Sequence, residues 1–460
     1  MKYQENLNSL LKMTRFKENE NKITLKFNDE YKLFPFQTRE PNRPKFDSGF
    51  KHIVSEFSRM ICSVKLEDDF DYDKLLTQIL SNENIEVDVS DKKYLELVLR
   101  DYLIDSKGEL NIIHPYLYKY ILPTKGHSYK GEKDLSLFFR DVFFKNLPGF
   151  KNYFTFTDGN DITNNILVDL VIENLPDLNS TSYKNTYISK LDYVTDIFEE
   201  DINFALENKD FLDKNIENIF AYYYFFYITQ LNLKIFNQEN TLNKCEELYY
   251  LLDSESASKK RKSINNGYNL IKTNNRSLLY KIYTLDYINK LLGTKGLTYS
   301  ELIKYVYELE DNEYDEFISA FKEFIIKYNK THNVCEEIME TDFEKLLLYL
   351  YNQFREKISD QSPNSRYASY YEDIGKKYFL KNRGRLGYVL NINQNMLLTI
   401  TALCVKDEKI KLKDLFIEYE KRGLFFDKSS KNAIELLLTK LNYIDKKSDS
   451  GEAQYVRRFL

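Results

Sequence analysis

From residue 395 to the C-terminus the spacing of apolar residues switches between helical and strand periods in an order that few folds accommodate. Met396, Leu397, Ile400, Leu403 and Cys404 recur at three-to-four spacing and predict a helix over 395–405. Lys409-Ile410-Lys411-Leu412 alternates, as a short strand does. Residues 413–422 return to helical spacing with Leu415, Phe416 and Tyr419 on one face, and Gly423 supplies the backbone freedom a helix end needs. Asp427 and Ser429 are N-cap candidates for a third helix reaching 441, with Ile434, Leu437, Leu438 and Leu441 inward. Strands at 443–447 and 453–459 flank Ser448-Asp449-Ser450-Gly451-Glu452, whose glycine suits a hairpin turn. Helix, strand, helix, helix, hairpin is the element order of a winged helix, with the third helix as recognition candidate and the hairpin as wing.

The remainder reads as helical. Only 14 Gly and 8 Pro in 460 residues are too few for the many tight turns of a β-sandwich. The expected fold is therefore mainly α, a helical multi-segment body carrying a C-terminal winged helix. Residues 1–50 are read as an N-terminal arm, extended around Phe34-Pro35-Phe36, Pro41 and Pro44. Residues 51–184 form an N-terminal helical domain and 185–375 a central one; 376–460 hold a basic linker and the winged helix. In the central domain, 215–236, 276–292, 300–309, 314–328 and 343–358 carry helical spacing, and Thr298-x-x-Glu301 and Thr341-x-x-Glu344 read as capping boxes. The run Tyr222-Tyr-Tyr-Phe-Phe-Tyr227 is continuous around a helix, which favours a buried core helix over a base-stacking platform. Residues 123–133, with Gly126 and Gly131, predict a surface loop, and Lys259-Lys260-Arg261-Lys262 a flexible connector.

Charge is segregated. Residues 376–460 hold 18 Lys+Arg against 10 Asp+Glu, a net of +8, whereas the preceding residues hold 48 against 61, a net of −13. A cationic tip on an anionic body suits an anionic partner at one end and a protein partner elsewhere. The candidate phosphate contacts are Lys381, Arg383 and Arg385 upstream, Lys428 and Lys431 on the third helix, and Lys446, Lys447, Arg457 and Arg458 on the wing.

No motif for chemistry emerges. Gly126-His-Ser-Tyr-Lys-Gly131-Glu-Lys133 imitates a phosphate loop, but Glu132 precedes the lysine and no Ser or Thr follows it to hold magnesium. His52, His114, His127 and His332 stand in no zinc-ligand spacing, and Cys62, Cys245, Cys335 and Cys404 form no paired motif. Neither cofactor nor metal is expected, and no nucleotide-binding or nuclease residues are nominated. Signal-peptide and membrane-spanning patterns are missing, so the expectation is a cytoplasmic chain without membrane contact.

Three stretches of the tail carry a family likeness: Arg383-Gly-Arg-Leu-Gly387-Tyr-Val-Leu, Lys421-Arg-Gly-Leu-Phe-Phe-Asp427 and Ser448-Asp-Ser-Gly-Glu-Ala-Gln-Tyr-Val456. They resemble the DptG (DndG) proteins of DNA phosphorothioation-dependent restriction systems. The resemblance implies a component of bacterial antiviral defence acting on DNA that lacks backbone sulfur. Its expected partners are an F and an H subunit that resemble ATPases or DNA translocases. The combined expectation is a non-catalytic DNA-binding scaffold that bridges DNA and these subunits. The competing readings are a winged-helix transcriptional regulator, which requires sequence-specific binding by the isolated chain, and a divergent metal-dependent nuclease, which requires metal-dependent nicking.

Overall fold

Helix dominates the protein, as its scarcity of turn-forming residues predicts, and strands are short and few. The computed structural model describes residues 2–17, 22–28, 30–67, 70–82, 88–155, 165–334, 337–358, 362–446 and 454–459; the side chains of 89, 90, 362–365, 368 and 446 lie outside the description. Residues 1–40, 186–197 and 222–460 form one compact unit, and 41–185 with 198–221 form a second. Among the described residues no helix is long and apolar enough to cross a membrane.

The second unit is built on phenylalanine. Phe57 of helix Lys51–Ile61 meets Phe144, Phe150, Phe154 and Phe220, and Phe139 of helix Tyr129–Phe143 stacks on Phe220 with ring centroids 4.5 Å apart. The stretch expected as a loop over 123–133 instead enters this helix at Tyr129. Gly131 is there for packing: a Cβ at that position lies 2.5 Å from both the Asn42 carbonyl oxygen and the Pro44 ring. Glu132 is buried and accepts from the Thr124 hydroxyl at 2.7 Å, so this is no phosphate loop.

In the first unit, helix Lys2–Met13 buries Tyr3, Leu7 and Leu10, and helix Leu278–Leu292, buried along nearly its whole length, ends on Gly293 in the left-handed region. The arm is not free: Tyr31, Leu33, Phe34 and Phe36 are buried, and Phe36 stacks on Tyr370 at 4.7 Å. Tyr222 to Tyr227 are all buried within helix Lys209–Lys234, which makes them core. The Thr298–Glu301 capping box forms. The second one does not: Asp342 accepts from the Lys345 amide at 3.0 Å, and Glu344 turns away to the Tyr299 hydroxyl at 2.7 Å.

The tail of the first unit carries two small sheets. Leu251–Leu252, Tyr388–Ile392 and Leu380–Asn382 form the first, with Tyr388–Ile392 in the middle, parallel to Leu251–Leu252 and antiparallel to Leu380–Asn382. Helix Gln394–Val405 follows, begun by Asn393, whose side chain accepts from the Met396 amide. Strand Ile410–Lys411, helices Leu412–Lys421 and Lys428–Lys440, and strands Ile444–Lys446 and Gln454–Val456 complete the chain. Gln454–Val456 is the central strand of the second sheet and pairs antiparallel with both others. The turn expected at Ser448–Glu452 lies outside the described residues. Met396, Leu397, Ile400, Leu403, Leu415, Tyr419, Ile434, Leu438 and Val456 are buried, and Tyr443 stacks on Phe459 at 3.9 Å across the sheet end.

Candidate nucleic-acid interface

Helix Lys428–Lys440 is amphipathic in its burial as well as its sequence. Asp427 caps it by accepting from the Ser429 and Ser430 amides, satisfying two of the donors that a helix start leaves open. Ser430, Ile434 and Leu438 face inward. Lys428, Ser429, Asn432, Leu436, Thr439 and Lys440 are exposed at spacings of three to four, a continuous outward stripe. Its residue types match what duplex edges offer: amide and hydroxyl groups for hydrogen bonds, Leu436 at 62% exposure for thymine methyls, and lysines for phosphates.

The sequence-nominated cations divide into four groups. Lys381 is 3.1 Å from Asp253, Lys431 is 3.1 Å from Glu420 and lies over the Phe416 ring, Arg457 donates to Asp445 at 2.6 Å, and Arg458 sits 3.7 Å from Asp407. Arg383 is a structural fastener: Nη1 donates to the Glu255 carbonyl at 2.7 Å, and Nη2 to the Leu252 carbonyl at 3.0 Å and Asn391 Oδ1 at 2.8 Å. Arg385 and Lys428 are exposed and engage no acid among the described residues. Lys446 belongs to strand Ile444–Lys446, but its side chain lies outside the described residues, as does Lys447 altogether.

What joins the upstream cations to the third helix is residues 248–262, which end in the run 259–262 expected as a flexible connector. The Tyr250 amide donates to the Phe425 carbonyl at 2.9 Å and the Phe425 amide to the Leu248 carbonyl at 3.2 Å, a parallel bridge beside the start of the helix. Arg261 then grips Asp427 with two bonds, Nε to Oδ2 at 2.6 Å and Nη2 to Oδ1 at 2.8 Å. The same Nη2 reaches Glu255 Oε1 and Ser430 Oγ, each at 2.8 Å. Burial pushes the Asp427 carboxyl up, but Arg261 and the Ser430 and Ser429 amides outweigh it and hold the group below its ordinary value. Lys381 and Arg383 fasten to the same segment at Asp253, Leu252 and Glu255. The upstream cations and the third helix are therefore fastened to one segment, and Arg261 is the residue that periodicity could not nominate.

Other parts of the chain present less. The open groove lined by Thr77, Gln78, Ser81, Asn174 and Asp177 in the second unit has no cation in its lining among the described residues. Among the described residues no group of three or more His, Cys, Asp or Glu is placed to hold a metal ion. No family model matches the chain, and no curated protein matches it.

Proposed function

We propose that this chain is a non-catalytic DNA-binding scaffold and that its tail, residues 394–459, is a winged helix. What supports the fold reading is the element order together with the strand order of the second sheet, in which the last strand inserts between the first and the second. The observation that carries the functional reading is the outward stripe Lys428, Ser429, Asn432, Leu436, Thr439 and Lys440 on the third helix, the element that enters the major groove in such folds. In this reading, which the tail resemblance supports, the chain acts in a bacterial phosphorothioation-dependent restriction complex, where it bridges DNA and ATPase-like F and H subunits.

The test is a binding titration of the full chain on duplex DNA, with and without backbone phosphorothioate, over a salt series. Expected is an affinity whose logarithm falls against log salt by about 0.9 per phosphate contacted, together with co-purification of the two partner subunits. Binding that ignores salt, or no binding, rejects the proposal.

A further inference from the structure

Lys259-Lys260-Arg261-Lys262 is a basic run far from the tail in sequence, yet Arg261 bonds Asp427 across 166 residues. Its neighbours are thereby brought beside Lys428. Arg261 is committed to Asp427, Glu255 and Ser430, and Lys262 to the Tyr249 hydroxyl at 3.2 Å. Lys259 and Lys260 differ: both are exposed, in a turn closed by the Arg261 amide on the Ser258 carbonyl at 3.0 Å, with no acid or hydrogen-bond partner among the described residues.

The nearby acids are already occupied. Glu255 takes Arg261, Ser430 Oγ and the Leu252 amide; Asp427 takes Arg261 and two helix amides; Asp253 takes Lys381 and Asn391. The charge of the two lysines is thus left for solvent or for an external anion. Two residues of chain reach at most about 7 Å, so both lysines stay within one duplex turn, about 34 Å, of Lys428.

We infer that Lys259 and Lys260 are a second phosphate-contacting element of the interface, which grips the sugar-phosphate backbone of duplex DNA flanking the groove entered by helix Lys428–Lys440. Arg261 is their positioning residue. This rests on the DNA-binding reading above and extends it to residues outside the tail.

The experiment compares the full chain with the double variant Lys259→Ala/Lys260→Ala and the charge reversal Lys259→Glu/Lys260→Glu on one duplex across a salt series. A control variant, Lys92→Ala/Lys93→Ala, removes two exposed lysines from the second unit. The expected result is a salt slope smaller by about 1.8 in the alanine pair, from 0.9 per contact, weaker binding still in the glutamate pair, unchanged melting temperatures, and a control at the parent slope. A parent-like slope in both test variants, or an equal loss in the control, overturns the inference while leaving the DNA-binding reading intact. Failure of the parent chain to bind overturns both.

Discussion

Arg261→Ala is the substitution with the most to reveal, because one guanidinium fastens the start of the third tail helix to residues 248–262. Its side chain is 14% exposed, that of Asp427 12% and that of Glu255 8%, so its loss leaves two largely dehydrated carboxylates without the guanidinium that pairs with them. Breaking a buried pair from one side costs about 3–5 kcal/mol. Asp427 keeps its two amide donors, which places the expected cost at the lower end, about 3 kcal/mol. At 1.4 kcal/mol per decade, that is roughly a hundredfold shift in local opening. A chain of two units need not unfold in one step, so the readout should be local. Hydrogen exchange at the Tyr250 and Phe425 amides, whose partners are the Phe425 and Leu248 carbonyls, should accelerate by about that factor, whereas helix Asp311–Lys330 should not change. Lys at position 261 keeps the charge but loses the two-pronged fit and should recover only part. Since the Asp427 carboxyl titrates below its unfolded value, the pair's contribution is present above the unfolded value near 4 and fades as pH falls through the folded one. Parent-like exchange at both amides in Arg261→Ala would falsify the clamp as the tie.

Two further substitutions probe the first unit. Gly423→Ala should destabilise the tail by more than about 1 kcal/mol, since φ is +81° there and the new methyl would stand 2.2 Å from Phe226 Cε2; thermal melting checks it, and an unshifted melt contradicts the packing. Asp286 is buried, which pushes its carboxyl up to about 7 despite the Asn28 amide. The folded state therefore holds a proton that the unfolded chain releases near 4, and stability should fall between about pH 4 and 7, by at most about 4 kcal/mol. Asp286→Asn should flatten that fall, and an identical pH profile of denaturant stability in the variant refutes the assignment.

How much of this was legible in the sequence depends on how far each residue's partner lies along the chain. The helix expected over 395–405 spans Gln394–Val405, and Asp427 caps the third helix, because periodicity and capping are decided within a few residues. Gly423 was readable as a helix end but not as the place where the Phe226 ring needs room. Gly131 looked like loop punctuation because its reason, the backbone at Asn42 and Pro44, sits far upstream. Thr341 and Glu344 had the spacing of a capping box, yet the Tyr299 hydroxyl claims the glutamate and Asp342 does the capping. The connector reading of 259–262 missed Arg261 for the same reason: charge runs show no partner when the partner is remote in sequence.

Charge counts along the tail have a related weakness, and it yields a last prediction. The excess of +8 over 376–460 is a property of the sequence, whereas a phosphate meets only those cations that are free or that can change partner. Arg383 and Arg422 cannot: the first holds three acceptors, and the second is buried against Glu418 and the Leu403 carbonyl. Arg457 and Arg458 can, because their pairs with Asp445 and Asp407 are exposed, and exposed pairs contribute little to stability. On the proposed DNA-binding reading, the two aspartates compete with phosphate for these arginines. Asp445→Asn with Asp407→Asn should leave the fold intact and tighten duplex binding at low salt. It should also steepen the salt dependence, by roughly threefold in affinity per arginine newly engaged over a fourfold change in salt. A double variant that binds more weakly, or with the parent's salt slope, would mean that the wing arginines do not meet DNA, and the interface would shrink to the third helix and its neighbours.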